Sequence, residues 1–247
     1  KRVRQTVLSI EGDSIAKKEL KGRLTAYQNM LFNSLYLNFE NAEWIFNKEK
    51  VKDKNLSSIA SFVSDEVFSL TPIVHNELIV RDRMSTMSVS GSVSLLKLIF
   101  NNSEQKNLGM IGHPSEYGVY LSLIKRNNLH IKNDDGYEFS IKKSKNTSLK
   151  IIHDEFLKLI KGSKEAVNLS EIYAHFTKQP YGIKLGLLPL LIGLFFKANE
   201  SSCALYIKDE QRKQSLVTEF DQKIAERLYH LPDTLKIMYV KISREKQ

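Results

Sequence analysis

The stretch Ile183-Lys184-Leu185-Gly186-Leu187-Leu188-Pro189-Leu190-Leu191-Ile192-Gly193-Leu194-Phe195-Phe196-Lys197 decides how this chain is read. It is almost wholly apolar, so it predicts a buried helix over 183–197 that tolerates an internal Pro189. Pro189, Gly193 and its short length rule out a membrane span. Upstream, Leu149 to Ile160 predicts a helix with Ile152, Phe156, Leu159 and Ile160 inward. Asn168-Leu169-Ser170-Glu171 opens another through Phe176, with Leu169 or Ser170 near its cap. Pro180-Tyr181-Gly182 then turns the chain. Downstream, Cys203 to Lys208 and Lys213 to Val217 flank Asp209-Glu210-Gln211-Arg212 as a hairpin. Helix, helix, turn, helix and hairpin is the order of a winged-helix module. Thr218-Glu219-Phe220-Asp221 caps a terminal helix to Leu231, and Leu235 to Ile242 reads as a closing strand.

The first half is helical in a different rhythm. Ile15, Leu20, Leu24, Tyr27, Leu31, Leu35 and Phe39 recur at helical spacing, with Gly22 as a candidate break. Glu43 to Val51 predicts a short hairpin anchored by Trp44. Ser57 to Leu70 predicts a helix capped by Ser57 or Ser58, and Pro72 begins a segment reaching Ile79. The polar run Arg81 to Ser90 separates it from a helix, Val89 to Phe100, that Asn101 and Asn102 end. After a loop at 107–114 comes a helix from Pro114 to Arg126. A hairpin follows, Leu129 to Lys132 and Tyr137 to Ile141, turning at Asn133-Asp134-Asp135-Gly136. Lys142 to Ser148 reads as a linker.

The expected fold class is therefore mainly α with short β-hairpins, an α+β chain. A helical domain, 1–145, precedes a winged-helix-like domain, 146–247, and two winged-helix-like units in tandem are the finer version of that reading.

With 247 residues and 42% hydrophobic content, the chain carries enough apolar surface to fold. The opening Lys1-Arg2-Val3-Arg4 resembles neither a start nor a signal region, so the sequence reads as a piece of a larger protein. Its single Cys203 gives no internal disulfide and no cysteine zinc site, which favours a cytoplasmic setting. A formal charge of +9 favours polyanionic partners such as DNA.

Catalytic signatures are missing. No Gly-x-x-x-x-Gly-Lys-Ser/Thr run cradles a phosphate. His75, His113, His130, His153, His175 and His230 include no pair one helical turn apart, and each reads as a surface or capping residue rather than a metal ligand. Ser90-Gly91-Ser92 lacks the second glycine of a nucleophile elbow, and Asp134 with Asp135 reads as a solvated turn. The sequence thus predicts no catalytic residue, no metal ligand and no cofactor within this chain.

Binding residues are the remaining candidates. The apolar helix over 183–197 holds only Lys184, with Lys197 at its end, which is poor equipment for base readout. Phosphate-directed contacts are expected from Lys178, Lys184, Lys208, Arg212 and Lys213 near the turn and wing. Lys125, Arg126, Lys132, Lys142, Lys143 and Lys145 around the first hairpin read as a solvated face. Asn76, Glu77, Arg81 and Arg83 have the chemistry of an inter-domain contact, set against a simple cap and local salt bridge.

Three stretches carry a family resemblance: Pro72-Ile73-Val74-His75-Asn76-Glu77-Leu78-Ile79-Val80-Arg81, Asn107-Leu108-Gly109 through Gly112-His113-Pro114, and Gln179-Pro180-Tyr181-Gly182-Ile183 through Leu191. Together they resemble the region downstream of the P-loop domain in very large bacterial phage-defence ATPases, of the BREX and phage-growth-limitation kind. The family pattern around Asn76 runs Arg-Asn-Glu-Leu-Ile-Asn-Arg, and His75 and Val80 replace its first and sixth residues. The resemblance implies antiviral defence, ATP and Mg used elsewhere in a parent chain, an ATPase-associated role near DNA, and other defence proteins as partners. No catalytic residue is carried over with it.

Overall fold

Asp13 opens the first helix: its carboxylate accepts from the amides of Ile15 and Ala16, both at 3.0 Å. The structure, a computed structural model, describes residues 13–46, 48–51, 55–208 and 214–240. Helix α1 runs Ser14–Asn41 without a break at Gly22. One helical glycine costs only about 1 kcal/mol relative to alanine, and the surrounding residues are good helix formers. The expected hairpin follows as β1, Ile45–Phe46, paired with β2, Glu49–Lys50. Trp44 is half-buried and meets Phe39 edge-on at 4.8 Å. Helix α2, Leu56–Val67, is capped by Asn55, whose side chain accepts from Ser57 and Ser58, so the cap sits earlier than the expected serines.

The chain divides into two compact units, Lys1–Val63 and Ser64–Gln247. The expected boundary at 145/146 falls inside the second. There the segment 142–148 is a tether rather than a loose linker: the buried Ser144 hydroxyl and the Lys145 amide both donate to Asn127 O, at 3.1 and 3.0 Å. Asn146 then caps the next helix by accepting from the Leu149 amide. One apolar core runs across this point, joining Leu96, Ile99 and Leu123 to Phe156, Leu191 and Phe195.

The second unit proceeds through α3, Thr86–Asn101, and α4, Ser115–Val119, which continues as a π-helical turn over Tyr120–Lys125. β3, His130–Asn133, pairs with β4, Gly136–Phe139. After α5, Thr147–Gly162, come β5, Val167–Asn168, and α6, Leu169–Phe176, capped by Asn168. Then follow α7, Leu188–Ala198, β6, Cys203–Lys208, β7, Gln214–Leu216, α8, Gln222–His230, and β8, Leu235–Tyr239.

Two helix starts differ from expectation. Pro189 lies in the first turn of α7, where its missing N–H breaks no helical hydrogen bond, so 183–187 is not helical. Helix α8 is capped by Asp221, which accepts from the Ile224 amide at 2.9 Å, leaving Thr218 outside it. Phe220 is drawn out of the helix to stack on Phe100, with centroids 3.7 Å apart.

The larger sheet has the order β5-β8-β6-β7, all antiparallel. The expected closing strand therefore occupies an interior position. Its alternate residues Leu235 and Ile237 are fully buried, and burial on that face fixes its register.

Candidate functional site

The turn before α7 and the segment before α3 form one seam in the second unit. Leu70 N donates to Pro180 O at 3.2 Å, and the Thr71 hydroxyl donates to Tyr181 O. Further along, Gly186 N donates to Arg81 O at 2.8 Å. A β-carbon on Gly186 would lie 2.7 Å from the carbonyl oxygens of both Ile79 and Arg81, so only glycine permits this approach. The Tyr229 hydroxyl on α8 donates to Gly186 O at 3.4 Å. Two of the three stretches that carry the resemblance thus pack on each other. In the remaining one, Leu108 is fully buried and adopts the left-handed region, with φ 55°.

Asn76 is the organiser of the segment 74–81. Its carboxamide donates to Ser122 Oγ at 2.9 Å and accepts from the Leu78 amide at 3.0 Å, while its backbone carbonyl accepts from Ile79 and Val80. Asn76, Glu77 and Arg81 line one open cleft of about 560 Å³ with His75. Glu77 and Arg81 are 4.0 Å apart and well exposed, a pair that contributes little to stability. Arg83 lies in a neighbouring cleft of about 510 Å³, beside Tyr173, Tyr229 and His230. Both clefts belong to the second unit.

The expected phosphate contacts have different surroundings. Lys184 is paired with Asp82 at 2.9 Å, and its ammonium holds the Asp82 carboxyl below the usual carboxylate range. Lys178 is exposed at the turn before the cis Gln179–Pro180 bond. Lys208 ends β6, and Arg212 and Lys213 lie outside the described residues. Asp82 and Ser122 went unnoticed in the sequence. Asp82 lies 102 positions from Lys184, and nothing local in the polar run Arg81 to Ser90 marks it as a partner.

Two histidines correct the surface reading. His130 is buried: Nε2 must donate to Ser103 O at 2.7 Å, leaving Nδ1 to accept from the Tyr120 hydroxyl at 3.1 Å. His153 is buried as well, and its Nε2 accepts from the Asn199 carboxamide at 2.8 Å. Desolvation lowers the pKa of both rings, so each is a neutral element of the core. Burial also pushes the Tyr120 hydroxyl up to about 12 and the Cys203 thiol up to about 11. At neutral pH that thiol is protonated and a poor nucleophile.

Among the described residues, no group of three or more His, Cys, Asp or Glu side chains is placed to hold a metal ion. Among them, too, no helix is long and apolar enough to cross a membrane. The class that fold and seam define is a mixed α+β chain with small antiparallel sheets. No protein-family model, curated protein or solved structure matches it.

Proposed function

We propose that this chain is a non-catalytic assembly region of a large antiviral-defence ATPase, docking through α1 onto protein and touching DNA only through sequence-nonspecific phosphate contacts. One observation carries the assembly reading. Helix α1 has no buried residue, yet it exposes Tyr27, Leu31, Phe32, Leu35, Leu37 and Phe39. An apolar surface of that extent is characteristic of protein contact sites. ATP and Mg belong, on this reading, to the parent chain.

The order of elements from α5 through β7 supports a winged-helix-like second half. That half is poorly equipped to read bases, because Leu188 through Phe195 of α7 are all buried. Lys184 is neutralised by Asp82, which leaves Lys178 and Lys208 as the described candidates for phosphate contact.

The test has two arms. In the first, this chain is mixed with the P-loop portion of the parent ATPase, and Leu31→Glu with Leu35→Glu abolishes co-purification. In the second, binding to unrelated duplexes is titrated with salt. The expected result is weak binding that fades steeply with salt, its log–log slope reduced by about one in Lys178→Ala. Tight, sequence-selective duplex binding, combined with assembly indifferent to the α1 changes, would overturn the proposal.

A further inference from the structure

We propose that the outer face of α5, carrying Lys150 and Lys161 with Lys142 close by, is the surface on which the phosphate backbone of a DNA duplex lies. The inference rests on the phosphate-contact part of the reading above and places that contact on a face the sequence did not single out. Helix α5 buries Leu149, Ile152, His153, Phe156 and Ile160 on one side. On the other side, at 100° per residue, Lys150, Asp154, Lys158 and Lys161 fall within an arc of about 80°. Lys150 and Lys161 are separated by about 20° around the helix and about 16 Å along it. An open cleft of about 500 Å³ on this face is lined by Asp154, Leu157, Lys158, Lys161 and Gly162.

The cations here are held in place but not neutralised. Among the described residues, no carboxylate forms an ion pair with Lys142, Lys150 or Lys161, whereas Lys143 is paired with Glu138 and Lys158 with Glu155. The one acid of the stripe, Asp154, is turned elsewhere. Because His153 Nε2 accepts from Asn199, its Nδ1 carries the proton and faces Asp154 Oδ1 at 3.4 Å. The Lys161 ammonium stands 4.7 Å from the centre of the Tyr239 ring, a cation–π contact that fixes a long side chain. Lys142 belongs to the segment that Ser144 and Lys145 tie to Asn127, so its backbone is anchored beside α5. After desolvation, which is the largest influence on His153, Asp154 raises its pKa while Lys142 and Lys161 lower it, so both ammoniums lie within reach of one ring.

A row of cations on an open face suits a repeating polyanion better than a single small anion. The 16 Å between Lys150 and Lys161 corresponds to about five phosphates of one strand at 3.4 Å each along the duplex. Phosphates supply the counter-charge that no described side chain provides. Backbone contact also agrees with a buried α7, which leaves no helix to read bases.

Fluorescence anisotropy of unrelated duplexes with the intact chain, titrated with salt, tests this. Lys142→Ala with Lys150→Ala and Lys161→Ala should reduce the log–log salt slope by about 2.7, about 0.9 for each of three phosphates, and weaken binding at low salt about tenfold or more. The same three positions changed to Arg should keep the slope. Removing equal charge elsewhere, with Lys106→Ala, Lys132→Ala and Lys223→Ala, should change it by less than about one. In the unaltered chain, bound duplex should shield Lys142, Lys150 and Lys161 from acetylation by an N-hydroxysuccinimide ester, read by mass spectrometry, while Lys106, Lys132 and Lys223 still react. Equal slope losses in the two triple-Ala variants, uniform shielding, or competition by poly-glutamate as strong as by duplex at equal charge overturns the proposal. A slope that responds to Lys178→Ala but not to the α5-face changes sinks this face and leaves nonspecific phosphate contact standing. No binding at low salt sinks both.

Discussion

Helices α1 and α7 both carry many large apolar side chains, and these have opposite fates. In α7 every residue from Leu188 to Phe195 is buried, whereas α1 buries none. Composition separates them in part, since six of the 28 residues of α1 are charged against one of the 11 of α7. The surfaces offered to each differ as well: α7 lies within a core to which α3, α5, α6 and the larger sheet contribute, while α1 belongs to a unit whose other described elements are a two-strand hairpin and part of α2. An apolar stretch thus reports a need for burial, and its neighbours decide whether that need is met within the chain.

The sharpest way to break this contrast is to truncate one leucine in each helix. Leu191→Ala in α7 should lower the unfolding free energy by about 2–5 kcal/mol, because a cavity opens in a filled core. Leu31→Ala in α1, measured by urea denaturation at a concentration where the chain is monomeric, should change it by no more than about 0.5 kcal/mol. Equal losses would mean that α1 is covered in solution.

A smaller effect is expected at the seam that holds α7 in place. Gly186→Ala forces a β-carbon against two backbone carbonyls that cannot swing aside, and should cost about 1–3 kcal/mol. The same denaturation experiment reads it. A neutral outcome would show that the segment 79–81 is free to retreat.

Capping sharpens the comparison further. Asp221→Ala removes the acceptor for Ile224 N and should destabilise the second unit by about 1 kcal/mol. Asp13→Ala should lower helical circular dichroism without moving that unit's main unfolding transition.

The pH dependence should be the mildest signal. His130 and His153 have folded-state pKa values below the ordinary imidazole value of 6.5. The unfolded chain therefore binds protons first as pH falls, so their contribution is fully present above about 6.5 and declines below it, levelling off once the folded rings protonate. Melting temperature should drop between pH 7 and 5, and His153→Phe should flatten part of that slope. An unchanged slope would mean that the ring takes a proton without cost.

The sequence reading located the local signals well. Ile152, Phe156, Leu159 and Ile160 gave the period of α5, three of them buried and Leu159 half-buried, and Asp134-Asp135-Gly136 gave the turn between β3 and β4. It was less successful wherever a partner lay far along the chain. Lys184 looked like a free cation because Asp82 is 102 positions away. His130 and His153 looked like surface residues because their ligands, Ser103 O and the Asn199 carboxamide, have no local signature. Asn76, Glu77 and Arg81, neighbours in sequence, line one cleft and Arg83 lies in another, but the hydrogen bond to Ser122 that fixes Asn76 was not legible.

By itself, then, the sequence determined most of the helices and strands, missing β5 and starting α7 and α8 early, because caps, turns and apolar spacing act over only a few residues. The tertiary structure decided the rest: that 142–148 ties two halves into one core, that β8 enters the interior of the sheet, that Pro189 begins a helix instead of interrupting one, and that α7 is covered while α1 is not. Each of these depends on contacts between residues distant in the chain, where burial and pairing outweigh local propensity.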